Sequence, residues 1–189
     1  MKKGSILTIV IIVIIVIIGI SKYNSFVRMK VEIENAWAEV DNQLKRRYEL
    51  IPNYVETVKG YAKHEKEVFT EVTKARASVG QATTRKEAIS ANNELTGVIS
   101  RLLLVVERYP ELKANTNFIR LQDELAGTEN RLAVARRRYN ESVKNFNKKI
   151  AVFPNNIIAG IFGFTKEPFY EIQEVERETP DVGKILKES

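Results

Sequence analysis

Residues 4–21 form an uncharged run of 18, built mostly from isoleucine and valine, and this run restricts the chain more than any other feature. Coiled as an α-helix at 1.5 Å per residue it reaches about 27 Å, close to the roughly 30 Å of a bilayer's hydrocarbon core. β-Branched residues are mediocre helix formers in water. In lipid the backbone must satisfy its own hydrogen bonds, so the helix is imposed there. Each central Ile or Val contributes roughly −0.3 to −0.6 kcal/mol to insertion. The residues expected to face lipid are Ile6, Leu7, Ile9, Val10, Ile11, Ile12, Val13, Ile14, Ile15, Val16, Ile17, Ile18 and Ile20. Just beyond, Lys22 can snorkel, and Tyr23 and Phe26 suit an interfacial belt.

A cleaved signal peptide is the competing reading, with Lys2 and Lys3 ahead of the apolar stretch. The stretch is long for one, and Ser21-Lys22-Tyr23-Asn24-Ser25-Phe26 offers no small-x-small cleavage site. The expectation is a retained single-pass anchor, with the lipid bilayer as the first partner. Orientation by flanking charge is near a tie. Lys2, Lys3 and the α-amino group stand on one side, Lys22, Arg28 and Lys30 on the other.

Charge elsewhere is balanced. Five of the 30 basic residues and none of the 24 acidic ones fall in residues 1–30, which leaves 25 against 24 for the rest. The net +6 therefore belongs to the anchor segment, and the remainder lacks the basic surface a nucleic-acid binder needs. With no cysteine there is no disulfide, thiolate metal site or cysteine nucleophile. His64 is the only histidine, which argues against a multi-histidine metal site. At 189 residues, with 44% hydrophobic and 29% charged side chains, the chain suits one folded domain plus an anchor.

Beyond residue 31 apolar positions recur every three or four residues, as helices require. One row is Ile33, Trp37, Val40, Leu44, Tyr48 and Ile51, and a second is Tyr54, Val58, Tyr61, Val68, Val72, Ala75 and Val79. A third is Ala91, Leu95, Val98, Leu102, Val105 and Tyr109. The fourth runs Phe118, Leu121, Leu125, Leu132, Ala135, Tyr139, Val143, Phe146, Ile150 and Phe153. Gly80 ends the second segment, Thr84 and Glu87 can form a capping box, Pro110 stops the third, and Asn115 or Asn117 can cap the fourth. Pro52 has no loop around it, so residues 31–79 read as one kinked helix of about 70 Å. Leu102-Leu103-Leu104-Val105-Val106 is apolar nearly all round and should be buried on more than one side.

The fold class expected is all-α: an N-terminal transmembrane helix, then an elongated antiparallel bundle of three long helices, then a short helical or irregular tail. The divisions are residues 1–30 for the anchor, 31–153 for the bundle and 154–189 for the tail. In the tail, Ile157, Ile158, Ile161, Phe162, Phe164, Phe169 and Tyr170 are interleaved with Gly160, Gly163 and Pro168. They read as a cover for a bundle end, with a second membrane-surface contact as the alternative. Thr179-Pro180 can start a last short helix, and the terminus is expected to be mobile.

Two stretches carry a resemblance: WAEVDNQLKRRYELIPNYVETVKGYAKHE at residues 37–65, and ERYPELKANTNFIRLQDELAGTENRLAVARRRYNESVKNFNKKIAVFP at 107–154. With the anchor they closely resemble the LemA family of bacterial membrane proteins. The resemblance covers essentially the whole chain. It implies one N-terminal membrane helix, a long antiparallel helical domain, a short N-terminus outside and the bulk of the chain in the cytoplasm. It implies no enzymatic activity and no cofactor.

The polar residues beside the apolar rows need a physical role. Asp41, Arg47, Glu107, Asn117, Glu129, Arg137 and Asn140 read as an interhelical polar network that fixes the register of long helices. The alternative is a carboxylate–guanidinium ligand site, in which Glu107 or Glu129 would need an open pocket. His64 borders an apolar row and reads as a bundle histidine, and Gly60, Gly97 and Gly127 read as points of close helix approach. No nucleotide-binding, metal or nucleophile motif occurs. The function expected is a non-enzymatic membrane-anchored scaffold or adaptor that forms a homo-oligomer. The alternative is a signalling or envelope-stress module that binds a separate protein or small ligand.

Overall fold

The computed structural model describes residues 3–171, and every regular element among them is an α-helix. In order these are α1 (Lys3–Tyr61), α2 (Lys66–Gln81), α3 (Arg85–Val106), α4 (Pro110–Lys113), α5 (Thr116–Ala151) and α6 (Asn155–Ile161). The chain divides into two compact units. The first takes its described residues from Met1–Gln43 and Glu129–Phe169, the second from Leu44–Thr128 and Tyr170–Ser189. The Thr179-Pro180 reading lies outside the described residues.

In the first unit, Phe26, Ile33 and Val40 of α1 are spaced by seven and buried, as are Leu132, Ala135, Tyr139, Val143, Phe146 and Ile150 of α5. Trp37 meets Tyr139 edge-on at 5.4 Å, Arg138 bonds Glu39, and Arg131 bonds Gln43. Partner numbers fall on α5 as they rise on α1, so the two segments are antiparallel. The chain after α6 returns along α5. Asn147 and Glu167 exchange two hydrogen bonds of 2.8 Å, and the Tyr139 hydroxyl donates to the Pro168 carbonyl.

In the second unit the core joins Ile51, Tyr54 and Val58 of α1, Phe69, Val72 and Ala75 of α2, Leu95, Val98, Ile99, Leu102, Val105 and Val106 of α3, and Leu112, Phe118 and Leu125. Each Val, Leu, Ile or Phe among them contributes roughly 1.5–3 kcal/mol by leaving water. Tyr54 packs on Phe118 at 5.2 Å and the Tyr61 hydroxyl accepts from Asn115, so α1 and α5 are antiparallel here too. Ion pairs Glu71–Arg101 and Glu65–Arg108 set α2 antiparallel to α3. The capping box is formed: Thr84 accepts from the Glu87 amide, and the Glu87 carboxylate accepts from the Thr84 amide. Asn115 Oδ1 caps α5 by accepting from the amides of Asn117 and Phe118.

Several expectations need correction. Pro52 lies inside α1, and the chain breaks later, at residues 62–65, so residues 31–79 are not one rod. Proline at 52 has no N–H for the Tyr48 carbonyl, but Arg76 Nε donates to that oxygen instead and the helix continues. At the break, Ala62 is fully buried, and the Glu65 carboxylate accepts from Arg108 and from the Tyr109 hydroxyl. His64 falls in this turn and is exposed, not a bundle histidine. Tyr61 and Phe153, at helix ends, leave the apolar rows and are 39% and 79% exposed. Leu104 is 70% exposed, so α3 is not covered all round within one chain. Close approach occurs at Gly80, where a Cβ would meet the Tyr48 hydroxyl at 3.3 Å. Gly60 and Gly97 face open space.

Candidate functional site

Among the described residues, α1 is the one helix long and apolar enough to cross a membrane, and it is a candidate membrane anchor. From Ile6 to Ile20 its thirteen large apolar side chains are each 47–62% exposed, covered only by their own helix. Thr8 directs its hydroxyl to the Gly4 carbonyl, so the run's one polar side chain inside this stretch is satisfied locally. Apolar surface of this extent is untenable in water and is what a bilayer accepts. This apolar stretch is part of α1, which runs on without a break to Tyr61.

The seven polar residues singled out from sequence are divided between the two units: Arg47, Glu107 and Asn117 belong to the second, Asp41, Glu129, Arg137 and Asn140 to the first. Arg47 is buried in the second unit, where Nη1 donates to Thr96 Oγ1 at 2.9 Å and to Asn92 Oδ1 at 3.3 Å. Asn92, itself buried, donates from Nδ2 to the Tyr170 hydroxyl. Glu107 is exposed and pairs with Lys113 at 2.7 Å. In the first unit Glu129 pairs with Arg136 at 2.6 Å, whereas Arg137 is exposed. Asp41 and Asn117 are exposed, and Asn140 is half-buried. Sequence reasoning missed Asn92, Thr96 and Arg136. Asn92 occupies the position after Ala91 on the third apolar row, and Thr96 follows Leu95, so only their phase marked them.

Two surface grooves lie among the described residues. In the second unit, an open groove of about 590 Å³ is rimmed by Lys59, Lys63, Lys66 and Lys74 around Phe69, Thr70 and Thr73. Both threonine hydroxyls are spent on helix carbonyls, and Lys59 pairs with Glu56. Such a groove suits an anionic surface or segment. In the first unit, a groove of about 400 Å³ between Glu39, Asn42, Gln43, Asn130, Arg131 and Arg138 has its charges engaged across it. Among the described residues no group of three or more acids or histidines could hold a metal ion. Burial raises the Tyr54 phenol above its ordinary range, and the hydroxyl has no hydrogen-bond partner among the described residues. It packs under Phe118, a core position.

A sequence model of the LemA family matches residues 36–183. The protein named LemA from Metamycoplasma hominis is 24% identical over 167 residues, covering 88% of this chain and 76% of the relative. The magnetosome protein MamQ 2 of Paramagnetospirillum magneticum is 22% identical over 178 residues. MamQ of Magnetospirillum gryphiswaldense is 21% identical over 177. Each magnetosome alignment covers 80% of this chain and 65% of the relative, so the chain spans just under two thirds of their length. None of these names denotes an enzyme. The match takes in the blocks at residues 37–65 and 107–154 and well over half of the sequence: the chain belongs to the LemA family.

Proposed function

We propose that this chain is a non-enzymatic, single-pass, membrane-anchored helical scaffold or adaptor. It associates with copies of itself through its helical faces, and its bulk lies on the cytoplasmic side. The observation that carries the reading is the uncovered apolar stretch of α1, which runs unbroken into packed helices. Supporting it, Glu107 and Glu129 are held by cations rather than poised in open pockets. Leu104 and Ile119 in the second unit and Val134 in the first leave apolar surface for lateral contacts. Confinement to a bilayer raises the effective concentration of copies, so weak contacts suffice. The test is an alkaline carbonate wash of membranes, followed by an intact mass. Full-length chain in the pellet is expected, and a trimmed, released chain would refute the anchor. Because the chain has no cysteine, a single one at Ala133 reports sidedness. Blocking by a membrane-permeant maleimide alone is expected, and blocking by an impermeant one in intact cells would reverse the orientation.

A second reading, a signalling module that takes up a separate protein or small ligand, is favoured by the lysine-rimmed groove. It expects a partner crosslinked in cells that persists when contacts between copies are abolished, and that is lost on combining Lys63→Glu with Lys66→Glu.

A further inference from the structure

The base of the first unit joins two segments that are distant in sequence. Tyr23 lies two residues past the apolar run, about 3 Å along the helix axis. A headgroup layer is roughly 5–7 Å thick per leaflet, so a run that fills the hydrocarbon core sets Tyr23 within that layer. The Phe162 ring lies 5.0 Å from the Tyr23 ring, and Phe164 packs on Tyr23, on Phe26 and on Phe146. The aromatic cluster therefore fixes α6 at the depth of Tyr23. Inward, α6 seats Ala159 and Asn155. Outward, Ile157 and Ile161, one turn apart on a single face, are 54% and 73% exposed, with Phe153 at 79% and Phe162 at 49% beside them.

Charge at this base is one-sided. Residues 1–31 and 142–166 contain no acid. The second of these segments carries Lys144, Lys148, Lys149 and Lys166, and the first adds Lys22, Arg28 and Lys30 beyond the run. The first acid after α6, Glu167, is taken up by Lys30 at 3.1 Å. An exposed apolar face at headgroup depth, on a base whose two segments carry cations and no acid before Glu167, matches the amphipathic surface that lies in an anionic interface.

We infer that α6 is a second membrane contact, which lays Phe153, Ile157, Ile161 and Phe162 into the acyl–headgroup boundary of the leaflet that α1 leaves, with the surrounding lysines on anionic lipid headgroups. The inference rests on the reading that residues 4–21 span the bilayer. It goes beyond that reading by making the attachment two-pronged, which restrains the tilt and rotation of the first unit at the surface.

The cysteine-free chain allows a direct test. Full-length protein bearing one spin label, at Ile161→Cys, Ile157→Cys, Ile12→Cys or Asn130→Cys, is reconstituted in phosphatidylcholine vesicles with and without phosphatidylglycerol. Depth is read from the ratio of relaxation by oxygen to relaxation by a water-soluble nickel chelate. The Ile161 and Ile157 labels are expected to give a ratio several-fold above that at Asn130, between the Asn130 and Ile12 values, and higher with phosphatidylglycerol. Ile161 and Ile157 ratios equal to Asn130, with Ile12 deep, would overturn this inference and leave the anchor standing. Dipolar broadening between labels on separate copies at Ile161, without oxygen access, would assign the face to a second copy and also overturn it. An Ile12 label in water would remove both the anchor and the inference.

Discussion

Arg76 donates its Nε–H to the Tyr48 carbonyl at 3.3 Å while its guanidinium lies 4.0 Å from the centre of the Tyr48 ring. One side chain of α2 thus satisfies the oxygen that Pro52 leaves without a helical partner, and stacks on the residue that bears it. Arg76→Met should destabilise the protein by about 1–2 kcal/mol, through the lost hydrogen bond and cation–π contact. In a Pro52→Ala background the restored N–H takes the carbonyl, and the same change should cost less. Denaturant unfolding of the four proteins in one detergent measures that coupling. Equal costs in both backgrounds would separate Arg76 from the proline.

Gly97 sits on the exposed face of α3 with open space where a Cβ would stand. Gly97→Ala should therefore stabilise by roughly 0.5–1 kcal/mol, the ordinary helix-interior difference between the two residues. A rise in thermal midpoint is the expected readout. A fall would mean that this face is covered by a neighbour in the assembled protein.

Leu102 and Leu104 are two residues apart in α3, yet the first is fully buried and the second 70% exposed. Leu102→Ala should cost about 2–5 kcal/mol by emptying a core position. Leu104→Ala should change the stability of the solubilised monomer by no more than about 0.5 kcal/mol. Unfolding curves of the two variants compare these directly.

The Glu87 carboxylate accepts from the Thr83 amide, the Thr83 hydroxyl and the Thr84 amide. These bonds, led by the one from the Thr83 backbone, hold it below the ordinary glutamate value of 4.5. A carboxyl lowered on folding stabilises the folded state above its unfolded value, and that contribution is lost as pH falls through the lower folded value. The thermal midpoint should therefore drop below pH 4.5 more steeply in the parent than in Glu87→Gln. Parallel profiles would show that the cap does not discriminate the ionised form.

How much of this was legible in the sequence depended on whether a feature is local. Most of each stripe, the Thr84–Glu87 box, the Asn115 cap and the apolar N-terminal helix are set by residues within one or two turns of each other, and they appear where periodicity and side-chain chemistry put them. The break at residues 62–65 carries no proline or glycine of its own, and it is held by Arg108 and Tyr109 more than forty positions away. Pro52 misleads for the same reason, since Arg76 repairs it from another helix. Arg47 was recognisable as a polar residue at a core phase, but its partners Asn92 and Thr96 depend on which helix faces it. Arg136 and Arg137 are adjacent and identical in type, and only the helix phase decides that Arg136 reaches Glu129.

Lateral contact between anchored chains is tested most directly by the mass of the full-length protein in lipid nanodiscs, followed over serial dilution. Assemblies of two or more intact chains per disc, persisting as copies are diluted with lipid, are the predicted result. A single chain per disc at every dilution would contradict it.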